Sequence, residues 1–561
     1  MISTAPAKAN RASLASAGQD TTIVTGSKPA TRLATPAYST FAAASWFPHN
    51  SRRHGQAISV RSCFAVSGGI RNPSSAGVRD GDTPMRPTLA EQVSRGSLRS
   101  SCGLLCDGLR DACPLVRTEQ HRRSQERRRQ PRQTSVQTPM IRQASTQLGP
   151  LGDTLDCTME RVPVVIVGGG QAGLAVSHEL TALSVEHTVL ERSRVAQTWR
   201  DRWDSFCLVT PNWSVQLPGG AYDGDDPDGF MPRDEIVRYL EAYAESFSAP
   251  VREGVEVTSL DAAPGAGFAL TTSGGVLITD AVVLATGAYQ RPHRPEGAAT
   301  LPTELLQIDA ERYRHESALP RGKVLVVGSG QTGCQLAEEL NEAGREVFLA
   351  CGRAPWGLRR IGGRDLVYWA IETGSFDETP ADLPSQSARL VANIQATGHG
   401  GGHDLHYRVL QPIGVTLVGH LLGAKDGHAL FASDLASSVA FGDARYGETR
   451  EKITRICLER GIPVPQMPDP APFDARAPGS VGLAGFGAVI FTSGFRPDYS
   501  SWVHFDAFDE TGFPIHEDGA SKVVGGLYFC GVHFLRKRKS SLLIGVGEDA
   551  AIVARKVADR F

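Results

Sequence analysis

Several function classes are excluded by what this chain lacks. After residue 158 there is no C-x-x-C or C-x-x-x-x-C pair; Cys207, Cys334, Cys351, Cys457 and Cys530 are scattered. That spacing excludes a sequence-local redox disulfide and a zinc ribbon, and it fits a reducing compartment. No apolar run reaches the roughly 18 residues of a membrane span. A net charge of −2 over 561 residues gives no overall bias towards nucleic acid or a membrane surface. What remains is a chain long enough for two or three packed domains, acting on small molecules.

The small total conceals an asymmetry. Residues 1–158 hold 21 Lys/Arg against 10 Asp/Glu, so the remainder is acidic. This first part is rich in Ser, Ala and Arg and shows no sustained hydrophobic period, which predicts a disordered basic extension. Three readings of it stay open: an organelle transit segment, a basic arm, or a mis-assigned start with the true protein beginning at Met159. A cytoplasmic location is expected, with organelle import if the extension belongs to the mature chain.

From residue 161 the pattern changes. Val162–Val167 reads as a short buried strand, glycines follow, a helix runs from Ala172 to about Ser184, and His187–Leu190 is the next strand. Arg233–Phe247 has helical spacing. Thr258–Leu260, Phe268–Thr271 and Val276–Thr279 read as short antiparallel strands, and Ala281–Leu284 as a separate buried one. The strand–glycine–helix–strand block then repeats at Lys323–Ala350. Arg445–Arg460 is a further helix, and the last runs from about Val546 to Asp559. The pattern predicts an α/β protein with two Rossmann-like doubly wound nucleotide-binding domains, the second inserted in the first. The expected boundaries are 159–318 with 470–561 for the first domain, and 319–469 for the second with an inserted substrate-side region.

The first glycine block is Gly168-Gly169-Gly170-Gln171-Ala172-Gly173. Its glycines permit a tight turn, a close approach of pyrophosphate to the backbone, and close helix–strand packing. Phosphate then meets free N–H groups at a helix start. Glu191, about 20 residues on, is placed to accept hydrogen bonds from a ribose diol. The second block is Gly328-Ser329-Gly330-Gln331-Thr332-Gly333. Its following strand ends in Cys351, Gly352 and Arg353 rather than an acid, with Arg359 and Arg360 further on. A missing carboxylate and a nearby guanidinium suit a 2′-phosphate. FAD is therefore assigned to the first block and NADPH to the second.

These blocks, with Thr198-Trp199-Arg200, Arg202-Trp203-Asp204-Ser205, Thr210-Pro211, Leu217-Pro218-Gly219, Ala285-Thr286-Gly287, Gly352-Arg353-Ala354-Pro355, Thr492-Ser493-Gly494-Phe495 and Gly526–Gly531, resemble the two-dinucleotide-fold flavoprotein monooxygenases. The likeness is to the bacterial branch near the flavin-containing and Baeyer–Villiger enzymes, over about residues 161–558. The resemblance implies that Thr198, Trp199 and Thr210 line the flavin and that Gly531 begins the return strand closing the FAD site. It also implies that the last helix points its N-terminus at the flavin ring. The implied activity is transfer of one oxygen atom from dioxygen, through a flavin C4a-peroxide, to a small organic substrate at nitrogen, sulfur or a carbonyl carbon. An oligomer is compatible with all of this; nucleic acid and membrane are not expected partners. The alternatives are a non-oxygenating NADPH-dependent flavin reductase or oxidase, and a nucleotide-sensing regulator.

The sequence departs from the family pattern at Leu305–Arg314, where Asp309 stands in place of a histidine, and at Val209, where some members carry an asparagine. Asn212 and Asp309 are the candidates for polar catalytic work near the flavin. His399, His403 and His406 lie in a Gly-rich loop without the helix that would make them converge, so no metal site is expected. The run Arg536-Lys537-Arg538-Lys539 reads either as a border to the cofactor or as a solvated face.

Overall fold

The computed structural model describes residues 160–561. The basic extension, Met159 and the readings attached to them lie outside the described residues. In chain order the elements that position the site are β1 (Glu160–Val167), helix α1 (Gln171–Ala182), β2 (Thr188–Glu191), α2 (Arg233–Ser246), β3 (Val251–Glu253), β4 (Val257–Ala262), β5 (Phe268–Thr272) and β6 (Gly275–Leu284). There follow β7 (Leu306–Asp309), β8 (Lys323–Val327), α3 (Gln331–Glu342), β9 (Val347–Ala350), β10 (Thr416–Val418), α4 (Leu435–Glu459), β11 (Phe486–Phe491), β12 (Leu527–Phe529) and α5 (Val546–Ala558).

Two sheets result. In the first, β12, β6, β1, β2 and β3 lie side by side and parallel. In the second, β7, β11, β8, β9 and β10 do the same. The central strands are apolar on both faces, as a parallel sheet covered on both sides requires. Val164 and Ile166 of β1 point into a core shared with α1 and α5, while Val162, Val165 and Val167 join a second core on the opposite face.

Three expectations are corrected. Val276–Thr279 and Ala281–Leu284 are one continuous strand: Asp280 does not break it but pairs with Arg161 at 2.6 Å. The first half of β6 pairs antiparallel with β5, and the second half pairs parallel with β12. Helix α4 starts at Leu435, ten residues before the expected Arg445, and takes in Gly442. A methyl group on it would stand 2.7 Å from the Trp356 ring. The sheets also cross the expected boundaries at 318/319 and 469/470. Both β7 and β11 hydrogen-bond into the second sheet, where β11 fills the open side of β8.

The two folds are wedged together by one loop. Trp203, in the first fold, is 5% exposed and buried in the core of the second, among Tyr313, Cys334 and Leu336. Asp204 N donates to Arg314 O at 2.9 Å, and Phe206 meets the Trp203 indole edge-on at 5.0 Å. Truncating a buried aromatic side chain costs about 3–5 kcal/mol. Trp203→Ala should therefore lower the unfolding free energy in urea by about that much. A cost below about 1 kcal/mol would show that the indole is not part of the second core.

Candidate functional site

The first glycine loop is shaped by what cannot be there. A methyl group at Gly173 would stand 1.9 Å from the Gly168 carbonyl oxygen, so only hydrogen lets α1 start this close to the loop. Gly168 itself has φ +112° and lies against the Ala285 carbonyl at the end of β6. Gly170 is different: nothing lies within 4 Å of its side-chain position. That opening faces the start of α1, which has no side-chain cap, and first-turn amides have no partner inside a helix. The result is an open cradle for an anion.

Glu191, 8% exposed, completes the loop. One carboxylate oxygen accepts from Gly169 N at 2.8 Å and the other from Ser193 N at 3.0 Å. A carboxylate accepts about four hydrogen bonds, so capacity remains for a ribose diol. Gln171 receives Trp199 Nε1–H at 3.0 Å and donates to Ser541 O at 3.2 Å, which fixes the indole beside the helix start. Ala172 packs so tightly on Gly531 (φ +77°) that a side chain there would come within 2.3 Å of its methyl. Thr198 is exposed and Thr210 half-buried, and neither hydroxyl bonds to another described residue. These features fit a dinucleotide at the first fold.

The second loop repeats the first in its essentials. A methyl at Gly333 would again stand 1.9 Å from a carbonyl oxygen, that of Gly328, and α3 also starts without a side-chain cap. The ribose end differs. No acid follows β9; instead the Ser329 hydroxyl accepts from Gly352 N at 2.8 Å and meets the Tyr407 hydroxyl at 2.5 Å. Tyr407 also bonds Gly352 O at 2.7 Å. A neutral hydroxyl network thus does the bracing that Glu191 does in the first fold. Arg353 is exposed and forms no ion pair with any described residue. Gln331 Nε2 donates to Ile394 O at 3.1 Å, and Gln395 Nε2 to Ser329 O at 2.8 Å. Ala392 Cβ lies 3.3 Å from the side-chain position of Gly330. The donors, the missing acid and Arg353 fit a 2′-phosphorylated dinucleotide, with residues 391–396 crossing its glycine loop.

Other residues are placed elsewhere than expected. Asn212 is buried as a loop clamp, donating to Asp226 O at 2.9 Å and accepting from Met231 N at 2.7 Å. Asp309 forms a two-point ion pair with Arg294, both contacts at 2.8 Å. Both side chains are engaged in these contacts. Arg359, 2% exposed, bonds Asp365 at 2.7 and 3.0 Å and the Val209 carbonyl at 2.8 Å; Arg360 also pairs with Asp365. Arg359 thus holds the 200–232 loop, and both arginines are already paired with Asp365. The basic run is likewise consumed by acids. Arg536 pairs with Asp518 and Asp549, Arg538 with Glu378, and Lys537 and Lys539 with Asp377 and Glu548. His403 bonds Glu338 at 2.8 Å, His406 packs at a 43° tilt against Trp356, and His399 lies 3.9 Å from Glu342, so the three histidines have different partners.

A cluster around Tyr289 holds groups that the sequence did not single out. Tyr289 is 46% exposed yet deep enough that burial raises its phenol pKa, with Asn393 and Arg202 acting the other way. It stacks on His533 at 5.2 Å and 10°. Burial lowers His533 to about 4, its Nε2 bonds Arg389 O at 2.9 Å, and its Nδ1 has no partner among the described residues. Arg202 Nε is also buried without a partner. Tyr289 and His533 follow the motifs at 285–287 and 526–531, and their proximity across 244 positions leaves no local signal. The described cysteines are free, and burial raises Cys207 to about 11, so it is a thiol rather than a nucleophilic thiolate at neutral pH.

Comparison with known proteins agrees with this architecture. Residues 165–368 match the family model described as pyridine nucleotide-disulphide oxidoreductase. An uncharacterized CzcO-like oxidoreductase of Geobacillus kaustophilus is 31% identical over 69% of this chain and 96% of its own length. A protein named indole-3-pyruvate monooxygenase YUCCA1, from Oryza sativa subsp. japonica, is 35% identical over 31% of this chain and 44% of its own. The solved flavin-containing monooxygenase of Stenotrophomonas maltophilia shares the fold, with a TM-score of 0.51 at 17% identity, covering 72% of this chain and 99% of that one.

The two glycines of the first loop should respond differently to the same change. Gly170→Val places its side chain in open space, so the protein should fold with near-normal thermal stability and purify colourless. Gly173→Val meets backbone at 1.9 Å and should fail to fold. A folded, yellow Gly170→Val protein would remove the first loop from the FAD site.

Proposed function

Because this chain belongs to the family of CzcO-like oxidoreductases, we propose that it is a flavin-containing monooxygenase: an FAD-dependent, NADPH-using enzyme that inserts one atom of dioxygen into a small organic substrate at nitrogen, sulfur or a carbonyl carbon. The observation that carries the reading is the pair of uncapped helix starts seated on glycine loops, the first open at Gly170 and backed by Glu191, the second crossed by Ala392 and followed by Arg353. When bound, the two nucleotides supply hydride transfer and the activation of dioxygen.

The chain's own residues bind, orient and exclude. The α1 amides and the space at Gly170 take a pyrophosphate, and Glu191 accepts from its ribose. Trp199, fixed by Gln171, and the Tyr289–His533 stack supply flat apolar walls for a ring system. Arg353 takes a 2′-phosphate that the absence of an acid after β9 does not repel. His533, held neutral by burial, cannot act as an acid near pH 7 and offers Nδ1 only as a hydrogen-bonding group. With the described cysteines unpaired, these residues provide no disulfide to receive electrons, which favours dioxygen as acceptor over the reductase reading.

Stopped-flow reduction without oxygen should bleach the flavin on addition of NADPH. In air, with a panel of amines, thioethers and ketones, hydrogen peroxide release should fall below NADPH consumption for at least one compound. Peroxide equal to consumption for every compound would reduce the protein to an NADPH oxidase. Arg353→Ala should weaken NADPH by about tenfold or more, the worth of a charge-assisted contact, and leave NADH within about twofold. Equal losses on both would remove the 2′-phosphate role.

A further inference from the structure

The second sheet brings a histidine to the same turn as Arg353. Strands β9 and β10 are parallel neighbours, with Ala350 opposite Val418. The chain therefore leaves them side by side, as Cys351-Gly352-Arg353 and as Gly419-His420. Cys351 N donates to Val418 O at 2.9 Å, which stitches the two exits together. A methyl at Gly419 would stand 1.9 Å from the Ala432 carbonyl oxygen, so the backbone before His420 is closely packed. His420 O accepts from Ala432 N at 2.9 Å.

Asp434, the residue before α4, then fixes the imidazole. Its two oxygens take the His420 backbone N–H at 3.1 Å and ring Nδ1 at 2.5 Å. Nε2 is left facing the turn, 3.1 Å from the side-chain position of Gly352, and it bonds no described residue. The side chain is 52% exposed. A ring whose Nδ1–H is given to a carboxylate has, when doubly protonated, one donor left, Nε2–H. Exposed Arg353 is the next residue on the facing exit. The carboxylate nearest this imidazole, Asp434, is already committed to it.

We propose that His420, oriented by Asp434, is a second ligand of the adenosine 2′-phosphate and acts with Arg353 to select NADPH over NADH. The inference rests on reading the second fold as the NADPH site. It adds a specificity-determining residue that comes from a different strand and has no place in the glycine block. A phosphate held between the Arg353 guanidinium and the His420 ring, when that ring carries both protons, receives charge-assisted hydrogen bonds from two sides, and a 2′-hydroxyl makes neither at comparable strength.

The test is equilibrium binding of NADP⁺ and NAD⁺ to the FAD-loaded full chain, read by calorimetry with no turnover. His420→Ala should weaken NADP⁺ by about ten- to a hundredfold, as loss of a hydrogen bond to a charged group does, and leave NAD⁺ within about twofold. His420→Gln keeps a side chain that can reach Asp434, and should lose most of the same preference. Asp434→Asn should give a smaller loss in the same direction. Equal weakening of both nucleotides by His420→Ala would overturn the proposal, since the ring would then be serving the adenine or the loop. No change in either nucleotide, with Arg353→Ala still selective, would overturn it and leave the NADPH assignment standing. If Arg353→Ala is also unselective, the assignment of the second fold fails first.

Discussion

Two contacts that only hydrogen can make hold this architecture together. Gly173 against the Gly168 carbonyl, and Gly333 against the Gly328 carbonyl, bring each helix start down onto the end of its strand. Any Cβ there would drive the helix away and open the turn. The polar consequence follows from the steric one. With the helix seated this close, its unpaired first amides and its dipole converge just beyond the strand end, which is where a pyrophosphate can be held. The adjoining sheets, cores and loops serve to keep those two approaches intact.

From that common frame the two folds diverge by small means. The first fold braces its loop with a charged group, Glu191, whose spare lone pairs suit sugar hydroxyls. The second braces its loop with the Ser329 and Tyr407 hydroxyls and puts no acid at the end of β9. The same mechanical task, tying the loop to the neighbouring strand, is done with opposite electrostatic results. Arg353 can therefore act on an anion without first being neutralised, unlike Arg359, Arg360 and the run at 536–539, each of which already has an acid.

The sequence was most legible where the chemistry is local. The glycine spacings, the buried strands and Glu191 all sit within one strand–helix–strand unit, and the structure places them together as the pattern predicts. Legibility failed where a polar residue has a distant partner. Asn212 and Asp309 have side chains suited to polar work near a flavin. Only the fold shows that Asp226, Met231 and Arg294 already occupy them. The Tyr289–His533 stack and the His420–Asp434 pair are assembled by strand order, which periodicity does not reveal. Gly442 shows the same limit in packing: its place inside α4 is accounted for by the Trp356 ring against it, which lies 86 positions away in sequence.

The segment from Glu378 to Gln395 touches both nucleotide folds. Glu378 O and its carboxylate hold Arg538, the Arg389 carbonyl holds His533, and Ala392 with Gln395 lies over the second glycine loop. A ligand that lifts this strap from Gly330 also pulls on its anchors beside the return strand of the first fold. Any free energy exchanged between the two glycine loops along this path would be reciprocal, since linkage is symmetric. Such an exchange would need one stretch of chain and no rotation of one sheet against the other.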